Sequence, residues 1–268
     1  MKKFIAILVL FSFVSAKDYP QRIISFGPSI TEELYILGVG NRVIGNTTYC
    51  NMPKDAKKKE KIGTILEINT EKILSLEPDL VIAIQLTPKK TLERVRDLGI
   101  RVEVFENPEN FHQICKNFIR LGKIVGKERK AERIIKRIEN EIFKIREKIE
   151  EKEKPKVLVQ IGANPLWVAT KDSFINELIE YAGGVNIVEE TKSGLYSVEK
   201  VVAKNPDIII ITTMGISEEK EKEGWKRFPE INAVQNNRIY VIDADKICRP
   251  QPLRFVKTIR ELVSIIHP

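Results

Sequence analysis

Short apolar runs alternate with amphipathic segments along most of the chain. Residues 80–83 and 208–211 are uninterrupted apolar runs, rich in branched side chains, which is typical of strands buried on both faces of a parallel sheet. In residues 111–125 and 253–266, apolar side chains recur at the spacing of an amphipathic helix. Because strands and helices alternate, the pattern predicts an α/β fold with parallel sheets covered by helices on both faces.

One segment occurs twice in the chain, with the copies 128 residues apart. The copies read NTEKILSLEPDLVIAI at residues 69–84 and SVEKVVAKNPDIIIIT at residues 197–212. Each copy predicts a capped short helix, a proline that ends it and a buried strand, so we expect the two halves of the chain to fold alike. The identical positions are Glu71 and Glu199, Lys72 and Lys200, Pro78 and Pro206, Asp79 and Asp207, and Ile82 and Ile210.

A charged segment at residues 127–154 separates these halves and contains no glycine or proline. Its apolar residues follow steps of three and four, which predicts one helix about 35 Å long. A coiled-coil seam is the weaker alternative, because the stripe covers barely three heptads. We therefore expect two Rossmann-like lobes, residues 17–126 and 152–268, joined by one long α-helix at residues 127–151. The stripe consists of Ala131, Ile134, Ile135, Ile138, Ile142, Ile145 and Ile149.

The first 16 residues have the pattern of a secretory signal peptide. Lys2 and Lys3 precede an apolar run at residues 4–14, and VSA at residues 14–16 fits a small-residue cleavage site. The run is too short to span about 30 Å of hydrocarbon as a helix. The first cysteine is Cys50, so we expect no lipid anchor and a protein secreted into the periplasm.

The net charge is mildly positive and is spread along the chain. The formal charge is +8 at pH 7, and removal of Lys2 and Lys3 with the signal peptide lowers it to +6. Such a dispersed surplus favours anionic ligands weakly. It lacks the focused basic patch of a nucleic-acid-binding protein, so we expect no nucleic-acid partner.

Three cysteines and two histidines provide little metal-binding chemistry. Cys50 and Cys248 lie in polar segments, and either one disulfide between them or three free thiols is compatible with an exported protein. Cys115 lies on the apolar face of a predicted helix, as a small core residue does. His112 and His267 have no cluster of ligand side chains near them in the sequence, so we expect no site for naked zinc or manganese ions.

Six segments run in order through nearly the whole chain and together form a specific pattern. They are RIISFGPSITE at residues 22–32, GVGNRVIG at 38–45, residues 62–84, AGGVNI at 182–187, residues 197–211, and RPQPLR at 249–254. This set resembles the ABC-importer substrate-binding proteins in which one long helix joins two lobes, a family that includes cobalamin-binding and ferric-siderophore-binding proteins. The resemblance implies a monomer without cofactor or catalytic residues, which delivers a metal-chelate or corrinoid ligand to a permease dimer in the inner membrane.

The resemblance also implies a ligand cleft between the lobes, lined by loops that follow strands. Tyr49 is expected to stack on a flat ligand and Trp167 to form part of the cleft wall. Arg249 and Arg254 are expected to hold carboxylate or phosphate oxygens. The ligand-binding candidates are Phe26, Pro28, Ser29, Tyr49, Leu86, Trp167, Tyr196, Met214, Arg249 and Arg254.

Permease docking is the second role that the resemblance carries over. Glu71 and Glu199, one on each lobe, match the glutamates that dock onto arginines of the permease in this family. Both follow a predicted helix cap, where a carboxylate is also stabilised by the helix dipole. Their symmetric placement favours docking, because a protein with two similar halves meets a permease pair.

Other functions are weaker interpretations of the same sequence. The chain contains no nucleophile elbow, metalloprotease motif, phosphate loop or dinucleotide fingerprint, and Asp243 and Asp245 are expected to cap a turn, so an enzyme is disfavoured. A small oxyanion such as molybdate or tungstate is the alternative cargo, whereas Tyr49 and Trp167 favour a larger, partly apolar one. The choice between ferric siderophore, haem and corrinoid stays open, and loop 63–66 lacks the tryptophan that cobalamin binders often present.

Overall fold

A computed structural model describes residues 19–189, 193–212 and 217–268, and the predicted signal peptide lies outside these ranges. The strands are β1 (Ile23–Ser25), β2 (Val43–Asn46), β3 (Glu60–Lys61), β4 (Leu80–Ile84), β5 (Val102–Phe105), β6 (Lys156–Gly162), β7 (Trp167–Val168), β8 (Val185–Asn186), β9 (Ile208–Thr212) and β10 (Ile239–Ile242). The helices are α1 (Pro28–Ile36), α2 (Thr70–Ser75), α3 (Lys89–Asp97), α4 (Phe111–Ile124), α5 (Glu128–Ile149), α6 (Phe174–Tyr181), α7 (Val198–Lys204), α8 (Glu218–Trp225), α9 (Asn232–Gln235), α10 (Ala244–Ile247) and α11 (Pro252–Ile266).

The first lobe is built on a parallel sheet with the strand order β3-β2-β1-β4-β5. β1 lies at its centre, where Ile23 pairs with Val43 on one side and with Leu80 on the other. The buried residues of β1 and β4 agree with the prediction from their continuous apolar runs. Because all these strands point the same way, the loops that follow them meet at one edge of the sheet, which we call the carboxyl edge.

The second lobe has a sheet in which β10, β9 and β6 are parallel and β6 carries two short strands on its other side. β8 pairs with the start of β6 in parallel, whereas β7 pairs with its end in antiparallel orientation. The predicted parallel sheet is thus confirmed for β10, β9, β6 and β8, and the short strand β7 adds one antiparallel pairing. Two parallel strands need a crossover connection of roughly a dozen residues or more. The connection at residues 163–166 is shorter than this, so β7 can pair with β6 only in antiparallel orientation.

The predicted linking helix is confirmed as α5, whose 22 residues are about 33 Å long. Ala131, Ile135, Ile138 and Ile142 of its apolar stripe are buried in a core cluster that contains residues of both lobes. The last helix, α11, packs against α4, α5 and α6, so it covers the joint between the lobes. In the ranges that the structure describes, no helix is both long and apolar enough to span a bilayer.

The repeated segment has the same local structure in both lobes. The side chains of Asn69 and Ser197 cap α2 and α7 by accepting from the backbone N–H three residues further on, at 2.9 and 3.3 Å. The residue before each proline adopts a left-handed backbone, with φ of 45° at Glu77 and 49° at Asn205. This conformation ends each helix and turns the chain into the next strand, so the sequence repeat is a structural repeat.

The aspartate of each repeat connects two neighbouring strands at their starts. Asp79 Oδ2 accepts from the backbone nitrogens of Gln21 at 2.6 Å and Arg22 at 3.1 Å, just before β1. Asp207 Oδ2 accepts from the backbone nitrogen of Lys156 at 2.8 Å, where β6 begins. The backbone nitrogens of the two aspartates donate in return to the carbonyls of Arg22 and Lys156. The Pro-Asp pair is thus a device for aligning parallel strands.

Aromatic rings hold helices of the two lobes together. Phe111 of α4 stacks on Phe255 of α11 with ring centroids 4.6 Å apart, and Tyr181 of α6 packs edge-on against both rings. The guanidinium of Arg146 on α5 lies 4.8 Å from the centre of the Tyr181 ring. The backbone nitrogen of Phe111 also donates to Glu177 Oε2 at 2.5 Å. These contacts join both lobes to α5.

Each of the three cysteines is a free thiol, which decides between the two alternatives that the sequence left open. Cys50 is buried and accepts a hydrogen bond from Thr31 Oγ1 at 3.2 Å. Cys115 is buried in the core, as its place on an apolar helix face predicts. Cys248 is half-buried near the interlobe joint, and no disulfide links it to Cys50.

Candidate functional site

A cavity of about 540 Å³ opens between the two lobes at the carboxyl edge of the first sheet. Its volume falls within the roughly 300–1,000 Å³ of small-molecule sites. Segments that follow all five strands of this sheet line it, at residues 28–33, 49, 65, 86 and 106–108. The second lobe contributes Phe174 and residues between 244 and 250. The cavity therefore lies where the carboxyl-end rule for open α/β sheets predicts a ligand.

Five of the predicted ligand-binding residues line this cavity. Pro28 and Ser29 begin α1, and Tyr49 and Leu86 lie in the loops after β2 and β4. The last two side chains are 60% and 61% exposed, which leaves their apolar surface available to a ligand. Arg249 reaches the cavity from the second lobe. Contact between these residues and a ligand stays a prediction.

The structure places four other candidates outside the lining of this cavity. Phe26 is fully buried because its backbone continues the pairing of β1 with β4, which directs the ring into the core of the first lobe. Arg254 is drawn aside by an ion pair near the start of α11. Trp167 is 45% exposed on β7, and Tyr196 packs against the core of the second lobe. Met214 lies outside the described residues.

Sequence reasoning missed most polar residues of the cavity. Residues 106–107 follow β5, so the rule used for the other strands would have found them. Glu33 was detectable as an acid within the buried face of α1. Asp243 does cap a turn, with its Oδ1 2.8 Å from the backbone nitrogen of Asp245, but Asp245 itself lines the cavity. The remaining missed residues are Ile30, Ile65, Ile84, Phe105, Pro108, Ile114, Asn117, Phe174, Ala244, Cys248 and Pro250.

One partly buried ammonium group organises the loop that carries Tyr49. Lys61 Nζ lies 2.5 Å from Asn46 Oδ1 and 3.1 Å from the carbonyl oxygens of both Cys50 and Ala56. Because an ammonium has three donors, it gathers the chain on both sides of Tyr49. Burial lowers the pKa of Lys61. The position of Tyr49 at the cavity mouth therefore depends on a side chain from the neighbouring strand β3.

A buried ion network crosses from the first lobe to the second. Glu32 on α1 is 8% exposed, and its Oε2 lies 2.5 Å from Arg254 Nη2 while its Oε1 lies 3.2 Å from Arg249 Nη1. The second amino group of Arg249 lies 2.6 Å from Asp245 Oδ1. Both predicted anion-binding arginines thus already hold a carboxylate of the protein, and this contact joins the lobes.

The charged groups of the cavity wall are mainly acidic. Glu33, Glu106 and Asp245 line it, whereas Arg249 is the one basic side chain among the described lining residues. Burial raises the pKa of Glu33 well above its usual range, and the charge of neighbouring Glu32 raises it further. Since Arg249 is already paired, the described part of the wall offers no uncommitted cation to an anionic ligand.

Glu71 and Glu199 are exposed in the first turns of α2 and α7. Each helix leads into a parallel strand, so its first turn lies at the carboxyl edge of its sheet. Hydrogen bonds from its own backbone N–H and from Ser197 lower the pKa of Glu199, which favours the charged form. Both lobes therefore present a carboxylate on the side where strand-following loops collect, and permease docking by this pair stays a prediction.

The described residues contain no group of three or more His, Cys, Asp and Glu side chains that could hold a metal ion. His112 is exposed at the start of α4, and His267 follows the end of α11. Burial lowers the pKa of His267. Neither histidine lines the interlobe cavity.

Comparison with known proteins identifies the family. The periplasmic binding protein family matches residues 23–246. An uncharacterised ABC transporter substrate-binding lipoprotein of Bacillus subtilis is 32% identical over 265 residues, which cover 95% of this chain and 82% of the relative. A vitamin B12-binding protein of Vibrio parahaemolyticus is 26% identical over 270 residues, covering 99% of this chain and 96% of the relative. The crystal structure of a possible iron-binding, periplasmic solute-binding protein from Staphylococcus epidermidis matches with a TM-score of 0.84 at 30% identity, covering 94% of this chain and 100% of that one. The expected resemblance is confirmed, and the chain belongs to the periplasmic binding protein family.

Proposed function

We propose that this chain is the substrate-binding protein of an ABC importer and that it carries a metal chelate: a corrinoid, haem or a ferric siderophore. The observation that carries the proposal is the mainly apolar interlobe cavity, framed by every strand-following segment of the first sheet. Exposed Tyr49 and Leu86 at its mouth suit a large, partly apolar cargo. Relatives named for vitamin B12 and iron support this ligand class.

The charges of the cavity argue against a small oxyanion such as molybdate. Such a ligand is held by converging hydrogen-bond donors, and charged donors bind it most strongly. Arg249 pairs with Glu32 and Asp245, and the other charged side chains in the described wall are carboxylates. The modest positive charge of the whole chain is therefore not concentrated where the ligand would lie.

The proposal assigns delivery to the two exposed glutamates of the structural repeat. Glu71 and Glu199 belong to α2 and α7, which have the same caps and end in the same left-handed turn. A pair of similarly placed carboxylates suits a permease dimer that presents basic residues from each subunit. In this scheme the mature protein begins after residue 16, resides in the periplasm and acts as a monomer.

A thermal-shift screen tests the proposal. Protein beginning at Lys17 is heated with cyanocobalamin, haemin, ferrichrome or molybdate, each present in excess. A ligand at about 100 times its dissociation constant adds about 2.7 kcal/mol of stability, which raises Tm by roughly 5–10 °C for a chain of this size. We expect one of the three chelates to produce this shift. A shift with molybdate alone, or none with any chelate, would contradict the proposed ligand class.

A further inference from the structure

One acidic side chain in the cavity wall has no partner among the residues that the structure describes. Glu33 lies on α1 one turn after Ile30, is 4% exposed, and lines the cavity. In the described part of the chain, no side chain or backbone group forms a hydrogen bond or ion pair with its carboxyl group. Buried polar groups are nearly always hydrogen-bonded in native proteins, and this carboxyl reaches the cavity, so its partner comes from what occupies the cavity, water in the free protein and the ligand in the complex.

The nearest charges do not compensate Glu33. Glu32 is adjacent on α1 and carries a negative charge that Arg249 and Arg254 already balance. These arginines are thus committed to the neighbouring carboxylate. Burial and the charge of Glu32 together raise the pKa of Glu33, so the neutral carboxylic acid is favoured.

Among the described residues, the elements packed around Glu33 supply no further cation. Cys115 on α4 lies within electrostatic reach, and burial raises the pKa of this thiol to about 12, with Glu139, Glu177 and Glu33 adding to the effect. Across the cavity, the described wall is mainly apolar, and its charged side chains other than Arg249 are carboxylates. The other titratable groups that line the cavity are Tyr49, Glu106, Asp245, Cys248 and Arg249.

We infer that Glu33 is a specificity-determining residue whose carboxylic acid donates a hydrogen bond to an uncharged carbonyl oxygen of the ligand. A neutral carboxyl has one O–H donor, and the apolar surroundings of Ile30 and Ile114 strengthen the preference for pairing it. The inference rests on the proposed function, because it assumes that the ligand occupies this cavity.

The same geometry narrows the ligand class. A chelate with amide side chains presents neutral carbonyl oxygens, whereas haem presents carboxylates. Glu106 and Asp245 also face the cavity, so a ligand carboxylate there would meet like charges and no free cation among the residues described. The cavity wall therefore favours an amide-bearing chelate, either a corrinoid or a hydroxamate siderophore, over haem.

Binding measurements across pH test this role. Dissociation constants for cyanocobalamin, ferrichrome and haemin are measured by calorimetry from pH 5 to pH 9 for the wild type, Glu33→Gln and Glu33→Leu. The glutamine keeps a donor, so we expect its dissociation constant to stay within about threefold of the wild type at low pH. The leucine removes the donor, and we expect about a tenfold loss of affinity. Wild-type affinity should fall as pH rises and Glu33 ionises, whereas Glu33→Gln should be insensitive to pH.

Glu93→Gln is the control, because Glu93 is an exposed carboxyl of the same lobe that does not line the cavity. It should keep the wild-type pH dependence. A Glu33→Gln variant as weak as Glu33→Leu, wild-type affinity that rises with pH, or haemin bound more tightly than both amide-bearing chelates would overturn the inference while leaving the proposed function intact.

A ligand-free measurement separates the inference from the proposed function. The Glu33 carboxyl is followed by carbon NMR in protein with labelled glutamate, with the signal assigned by its loss in Glu33→Gln. We expect the carboxyl to keep its proton to a pH well above the usual range for glutamate, because burial raises its pKa. A carboxyl that ionises within the usual range would refute the donor role, whether or not any chelate binds.

Discussion

The two lobes share a scaffold but contribute unequally to the cavity. Both contain the repeated cap, helix, left-handed turn and Pro-Asp strand start, with Asp79 and Asp207 in equivalent contacts. Yet the first lobe lines the cavity with segments after all five strands, whereas the described residues of the second contribute Phe174 and one segment after β10. The repeated part therefore builds the lobes, and the loops outside it determine what the cavity binds.

The largest expected effect tests whether the repeat also serves docking. We expect the double variant Glu71→Arg and Glu199→Arg to lose importer-dependent uptake, because like charges opposed across an interface cost several kcal/mol at each lobe. Uptake of the radiolabelled chelate found in the ligand screen is measured in cells, and ligand affinity should not change. Glu93→Arg with Glu230→Arg, which also reverses one exposed glutamate per lobe, is the control. Unchanged uptake by the first pair would reject docking.

The second-largest effect concerns the buried ion network that joins the two lobes. Glu32→Ala leaves the buried guanidinium of Arg254 without its carboxylate and removes one partner of Arg249. We expect a loss of about 3–5 kcal/mol in the free energy of unfolding, measured with urea. Asp245→Ala removes a more exposed partner of Arg249 and should cost less than about 1 kcal/mol. Equal losses in the two variants would show that burial does not distinguish these ion pairs.

The smallest effect compares one exposed aromatic from each lobe. Tyr49 lines the cavity and Trp167 does not, although both rings are well exposed. We expect Tyr49→Ala to weaken chelate binding about tenfold, or ~1.4 kcal/mol, and Trp167→Ala to change it less than about twofold. Fluorescence titration with the ligand found in the screen measures both. A larger loss at Trp167 would restore the earlier expectation that this ring forms the cleft wall.

The fold was largely predictable from the sequence because the patterns that specify its helices and strands lie within short stretches of the chain. The apolar runs of β4 and β9, the caps at Asn69 and Ser197 and the stripe of α5 each follow from residues close together in the chain. β7 escaped prediction because two residues carry no periodic signal. Its antiparallel direction follows from the short connection rather than from its own residues.

The site was less predictable because its groups meet across long sequence separations. Arg249 and Arg254 were assigned to a ligand, yet they pair with Glu32 more than two hundred positions earlier in the chain. Phe26 was assigned to the cleft by its place after β1, but its ring enters the core. Glu33 has no hydrogen-bond or ion-pair partner among the described residues. This depends on which side chains the fold brings near it, and composition does not reveal that.

The linking helix α5 has a consequence for how loaded and unloaded protein compete for the importer. If a 22-residue helix and buried interlobe contacts keep Glu71 and Glu199 at one separation, the unloaded carrier fits the permease as well as the loaded carrier does. Unloaded copies would then compete for the same docking place. The rate of nutrient entry would depend on the ratio of carrier to cargo, and overproduction of the carrier would slow uptake when the nutrient is scarce.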